Sequence, residues 1–302
     1  MKTLRCPLFV SLVAVALTAG AADRFDIAIT VDDLPAHGSR LPPGVTRMNV
    51  ADTFIKTLKA HGVNEAYGFV NARALAVEPS SVQVLDAWRQ AGYPLGNHTY
   101  SHLSLDAAES QDVWERDVEA GEAPIIPRMH NADWRYFRFP FLAAGNDLAK
   151  REGAFAYLRS KGYKIADVSV SFDDWDYTDA YTRCAVKGDS ATIDAMKAQY
   201  LKGVDSDIAR MKSTSQQLFG RMIPQVLLIH IGAFTAITLD DVMKRLDAAG
   251  ARYVTLAQAQ SDPVYASPGS KDVITRTALG RGIQFSDGPR DGNALDLNGI
   301  CR

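Results

Sequence analysis

Asp26-Ile27-Ala28-Ile29-Thr30-Val31-Asp32-Asp33 is the stretch from which the rest of the chain is read. Its centre is apolar and β-branched, which suits a buried strand. It ends on two adjacent carboxylates, which repel each other and are costly to desolvate unless a cation sits beside them. Asp is also common in solvated turns, so the pair alone leaves both readings open. Working outward, 50–61 has helical spacing at Phe54, Ile55 and Leu58 and stops at Gly62. A strand is expected over 65–70 and a helix over 81–90, with Val82, Leu85 and Trp88 on one face and Gly92 closing it. The alternation continues with a helix at 151–161, strands at 163–172 and 225–231, a helix at 239–249 and a strand at 253–256. Gly92, Gly162 and Gly250 each follow the last apolar turn of a helix, where a left-handed cap is expected. Alternating β and α units imply parallel strands, in an open doubly wound sheet or a barrel.

Composition fits this α/β reading. The 302 residues are 47% hydrophobic and 23% charged, ordinary for a globular chain and unlike a disordered or collagenous one. A formal charge of −2 offers no basic excess for a nucleic-acid partner. Residues 178–222 interrupt the alternation with a polar, helical insertion, and 261–302 form an extension rich in Gly and Pro.

The amino-terminal segment reads as an export signal. Lys2 and Arg5 precede an uncharged apolar run over 8–17, and small residues follow to Ala22. This order predicts a signal peptide over 1–22, cleaved near Ala21 or Ala22, and an exported protein, periplasmic or extracellular. Ten apolar residues fall short of the ~20 needed to span a bilayer, so no membrane anchor is expected after cleavage. Cleavage removes Lys2 and Arg5, taking the formal charge to −4, and removes Cys6. Cys184 and Cys301 then remain; in an oxidising compartment they either pair, which would make the extension a surface wrap, or stay as thiols.

Reactive groups of α/β sheets and barrels gather beyond the carboxyl ends of the strands. Asp32-Asp33 lies there. His98-Thr99-Tyr100-Ser101-His102 holds two histidines four apart, which in a helical turn would share one face and could share a metal. Asn97-His98-Thr99 also matches a glycosylation acceptor, a tripeptide frequent by chance. Arg138-Phe139-Pro140-Phe141 sets a cation in an aromatic run, and Leu227-Leu228-Ile229-His230 ends an apolar strand on a histidine. Each of these, taken singly, also has a plain structural reading.

In order, the chain gives TVDD (30–33), NHTYSH (97–102), RFPF (138–141), SFDDW (171–175) and LLIH (227–230). This ordered set resembles the polysaccharide deacetylases of carbohydrate esterase family 4, the NodB-homology enzymes, over roughly residues 26–258. The resemblance implies a distorted (β/α) barrel of mostly parallel strands, with a catalytic domain over 23–260. It implies that Asp33, His98 and His102 hold one divalent cation, zinc first, with cobalt, nickel and manganese as alternatives. Asp32 would be the general base, oriented by Arg138, and His230 the general acid. The backbone N–H of Phe141 would be an oxyanion donor. Asp174 would tune His230 and Trp175 would wall the acetyl pocket. Asp174-Trp175 is preferred in the fourth motif because it keeps the Trp; counting from Asp173 gives Asp176-Tyr177 as a second register.

Two positions depart from the family pattern. Leu34-Pro35-Ala36-His37-Gly38 follows the first motif where glycine is usual, and Leu142 follows the third. His37 could line the cleft, whereas His61 and His130 read as structural or surface residues. The implied reaction is hydrolysis of acetyl groups on a glycan, an N-acetylglucosamine-type amide first. An O-acetyl ester or a small-molecule amide is the alternative on the same fold. A non-haem Fe(II) oxygenase, which also uses two His and one carboxylate, and a silent glycan-binding protein are the readings from other classes. Polymer, metal identity and oligomeric state are not encoded legibly.

Overall fold

The computed structural model describes residues 24–130, 132–285 and 294–302. The expected signal peptide over 1–22 lies outside them. Eight strands form one sheet: β1 (Phe25–Leu34), β2 (Ala66–Val70), β3 (Leu95–Asn97), β4 (Tyr136–Phe137), β5 (Lys164–Ile165), β6 (Val170–Ser171), β7 (Gln225–His230) and β8 (Ala251–Tyr253). The order is β5-β4-β3-β2-β1-β7-β6, with β8 also pairing with β1, and every pairing is parallel. The sheet curls into a half-barrel wrapped by helices, the distorted (β/α) barrel expected.

β1 is central, and from Phe25 to Leu34 all its residues but Asp26 are buried. It is flanked by the equally buried β2 and β7. Parallel strands covered on both faces need this near-continuous apolar character. Helix Arg47–Ala60 packs Val50, Phe54 and Leu58 inward, and helix Ala233–Ala248 buries Phe234, Leu239, Val242 and Leu246. Gly92, Gly162 and Gly250 all have positive φ, as their cap positions required.

Several expected elements differ in detail. The strand expected over 163–172 is split into β5 and β6. Between them the buried Asp167 carboxylate accepts the N–H of Val168 at 3.0 Å and pairs with Arg276, so this stretch serves a buried ion pair instead of a ladder. The strand expected over 253–256 ends at Tyr253, because Thr255 caps the helix Leu256–Ala259 through a capping box with Gln258. Segment 178–222 is two helices, Thr178–Lys187 and Ser190–Phe219, forming the crossover from β6 to β7. The longer one buries Met196, Tyr200, Val204, Ile208, Met211, Ser215 and Leu218, a stripe of three- and four-residue steps diluted by its polar outer face.

Cys184 and Cys301 form a disulfide, so residues 294–302 wrap back onto helix Thr178–Lys187. Arg183 donates to the carbonyls of Leu297 at 2.5 Å and Ile300 at 3.3 Å, fixing the same contact with polar bonds. Among the described residues no helix is long and apolar enough to cross a membrane.

Candidate active site

The carboxyl ends of seven neighbouring strands contribute residues to one site, at the cavity or directly behind it. Asp32 and Asp33 come from β1, Asn71 follows β2, His98 follows β3, Arg138 follows β4 and Ala166 follows β5. Asp173 and Asp174 follow β6, and His230 ends β7. Asp32 and His230 are direct partners in the β1–β7 register.

Adjacent residues on a regular strand point to opposite faces. Here the β1–β2 register shifts between Val31 and Leu34, and Asp33 takes a left-handed φ of 68°. The irregularity lets both carboxylates line the same cavity of about 410 Å³.

Asp32 is held by Arg138, whose Nη1 donates to Oδ1 at 3.1 Å and to Oδ2 at 3.3 Å. Arg138 is fully buried. Its Nε donates to the carbonyl of Ala166 at 2.7 Å, its Nη2 to Thr30 Oγ1 at 3.0 Å, and its guanidinium lies 4.7 Å from the Phe69 ring centroid. Burial lowers the pKa of this guanidinium, and the nearby Asp32 and Asp167 carboxylates oppose that fall. A buried ion pair is tolerable when its remaining hydrogen-bonding groups are satisfied, as these are.

His98 and His102 meet as the spacing suggested, with ring centroids 4.8 Å apart, but not on a helix. The segment is an irregular loop in which Thr99 and His102 have φ of 66° and 61°. Asn97 organises it: Oδ1 accepts the Thr99 N–H at 2.8 Å while Nδ2 donates to the carbonyl of Val118 and to Tyr163 Oη. Asn97 is thus buried and internally bonded, which accounts for the glycosylation-like tripeptide without a sugar. His98 Nδ1 donates to the carbonyl of Arg138 at 2.7 Å, leaving Nε2 with its lone pair toward the carboxylates. Burial and the neighbouring His98 push the His102 pKa down to about 4, so its ring stays neutral at neutral pH.

The distances from His98 Nε2 and His102 Nε2 to Asp33 Oδ1 are 3.7 and 3.6 Å. Donors in a tetrahedral site about 2.1 Å from the ion lie roughly 3.4 Å apart, so these three residues fit a divalent cation with little movement. The donor chemistry also agrees: two imidazole nitrogens and one carboxylate oxygen. Burial alone would raise the Asp33 pKa, but the His37 hydrogen bond and the imidazoles of His98, His230 and His102 outweigh it and hold it below the usual carboxylate range.

His230 is fixed from behind by Asp174, which is wholly buried. Asp174 accepts His230 Nδ1 at 3.0 Å, the His230 backbone N–H at 2.8 Å and Thr235 Oγ1 at 2.7 Å. Burial works to lower the His230 pKa, yet Asp174, assisted by Asp33 and Asp32, raises it to about 9. Asp176, the second register of the fourth motif, is exposed and away from this contact. Phe141 takes φ of 58°, its ring lies 4.5 Å from that of His102, and its N–H meets no protein acceptor among the described residues. Trp175 is half-exposed at the cavity edge.

Two contributors escaped the sequence reading and a third was read only in part. Asn71 donates Nδ2 to Asp33 Oδ1, and its only signal was its place just after a strand. Thr235 carried no signal. His37, considered only as a cleft-lining residue, donates Nδ1 to Asp33 Oδ2 at 2.6 Å. His61 pairs instead with Asp240 and Asp247 on the surface, and His130 is exposed.

The family model described as polysaccharide deacetylase matches residues 19–166. No curated protein matches the chain at the same stringency as the structures below. Among solved structures, a chitin deacetylase from Colletotrichum lindemuthianum aligns with TM-score 0.53 at 19% identity, covering 79% of this chain and 88% of that one. A mutant peptidoglycan deacetylase from Bacillus subtilis aligns with TM-score 0.50 at 17% identity, over 87% and 96%. A carbohydrate esterase family 4 pseudoenzyme from Bacillus anthracis aligns with TM-score 0.53 at 14% identity, over 79% and 66%.

Proposed function

The chain belongs to the polysaccharide deacetylase family, and on that premise we propose that it is a metal-dependent hydrolase removing acetyl groups from a glycan, with an N-acetylglucosamine-type amide as the preferred bond. The observation that carries this reading is the flanking of Asp33, His98 and His102 by two separately paired groups. Asp32 sits on Arg138 on one side, and His230 sits on Asp174 on the other.

Asp33, His98 and His102 would hold the cation, zinc first. When bound it would polarise the acetyl carbonyl and acidify a water. Asp32 accepts the proton of the attacking water, and Arg138 keeps its carboxylate oriented. His230 is an imidazolium at neutral pH and so donates its proton to the leaving nitrogen. The N–H of Phe141 is free to donate to the developing oxyanion, and the exposed faces of Phe141 and Trp175 border the space for the acetyl methyl.

The all-parallel sheet leaves the oxygenase reading without the antiparallel jelly roll on which it would rest. We further place the protein outside the cytoplasm and treat 23–260 as its catalytic unit with 261–302 as an extension. The Cys184–Cys301 disulfide supports an oxidising compartment. Acetate release from N-acetylglucosamine oligomers, peptidoglycan and acetylated xylan, measured side by side, tests the substrate assignment. Release from the first two is expected. Release from xylan alone would move the reading to O-acetyl esters, and none from any would favour a small-molecule amide or a silent glycan binder.

A further inference from the structure

Asp33 belongs to two groups of potential ligands, each with its donor atoms within 4.8 Å of one another: one with His98 and His102, the other with His37 and His230. Its two oxygens divide the work. Oδ1 faces His98 and His102 and accepts from Asn71, whereas Oδ2 accepts from His37 Nδ1. The 2.6 Å His37–Asp33 separation is that of a direct hydrogen bond, shorter than the spacing of two donors sharing one ion.

His37 is itself anchored to the acid side of the site. Its backbone N–H donates to the carbonyl of Ile231 at 2.9 Å, one residue past His230, and its ring centroid lies 4.8 Å from that of His230. Asp33 needs such a clamp because it stands at a positive φ on a register shift, where strand pairing does not fix its direction.

We propose that His37 is a positioning residue of the reaction: its Nδ1–H clamps Asp33 so that the opposite oxygen is presented to the cation held with His98 and His102. The inference rests on the metal-dependent reading above. Hydrogen bonds from outside the ligand set orient ligands and tune metal affinity by factors of about 10–100 when removed.

The test compares the full chain with His37→Phe, which keeps a ring but loses the donor, and His37→Asn, whose amide nitrogen can stand near Nδ1. Zinc affinity is read by competition with a chromophoric chelator, alongside kcat and KM for acetate release, and metal-free melting temperature controls for folding. His37→Phe is expected to bind zinc about 10–100-fold more weakly and to lose kcat more than it raises KM. His37→Asn should stay within about threefold of the unmodified chain in affinity. If His37→Phe does not fold, His37→Ala takes its place. Unchanged zinc affinity in the donor-less variant overturns the proposal, and so does an equal loss in both variants, which would make His37 a ligand. A parent chain that binds none of zinc, cobalt, nickel or manganese overturns the metal reading itself, a different result from either.

Discussion

Asp174 grips His230 at two points, accepting its ring Nδ1–H at 3.0 Å and its backbone N–H at 2.8 Å. The first contact sets the protonation of the ring and the second sets its place at the end of β7. In the proposed reaction this pair equips His230 as the acid, while Arg138 orients Asp32 as the base.

Asp174→Asn tests the acid. His230 is raised to about 9, so it is protonated below that pH and the rate should fall as pH rises through it. Removing the Asp174 charge takes away the largest raising influence, so the basic limb of kcat/KM should move down by about one pH unit or more. A basic limb that stays in place would assign it to another group.

Asp32→Asn tests the base. It should retain metal and lose about 10²–10⁴-fold in acetate release, because the general base is removed while the three ligands remain. Metal content by elemental analysis and acetate by an enzymatic assay separate the two effects. Retained acetate release would contradict the assignment.

Arg138→Met should destabilise the fold by about 3–5 kcal/mol, since it strands the Asp32 carboxylate in a buried site. The Asp32→Asn/Arg138→Met double variant should recover part of that loss in urea unfolding, because the stranded charge is gone. An additive double variant would show that Arg138 acts through its other bonds.

Reduction of the disulfide, or Cys301→Ser, should lower unfolding stability by about 2–5 kcal/mol, given the 117-residue sequence separation that the cross-link closes. Denaturant titration with and without reductant reads this directly. Equal stability in both would mean that the contacts of Arg183 with Leu297 and Ile300 suffice.

The fold was legible because β1, β2 and β7 are long, apolar and separated by helices that stop at glycine. β3 and β4 have three and two residues, too few for any periodicity, and helix Gln111–Gly121 went unread. The site was legible as five motifs in order, since each marks the carboxyl end of a strand. Its local geometry was less so. His98 and His102 are four apart in a helix or in this loop alike, and nothing in Thr99 announces a positive φ. His37 stood close to Asp33 in the sequence, yet only the stitching of its backbone to Ile231 brings its ring against both Asp33 and His230.

The most direct measurement of the central claim is acetate release from N-acetylglucosamine oligomers by one preparation taken through chelation and metal return. The account predicts release by the purified chain, its loss when the metal is stripped, and its recovery on adding about one equivalent of zinc or another divalent cation. Asp33→Ala and His98→Ala should recover neither metal nor activity. Acetate release that persists in full after the metal has been removed would contradict it.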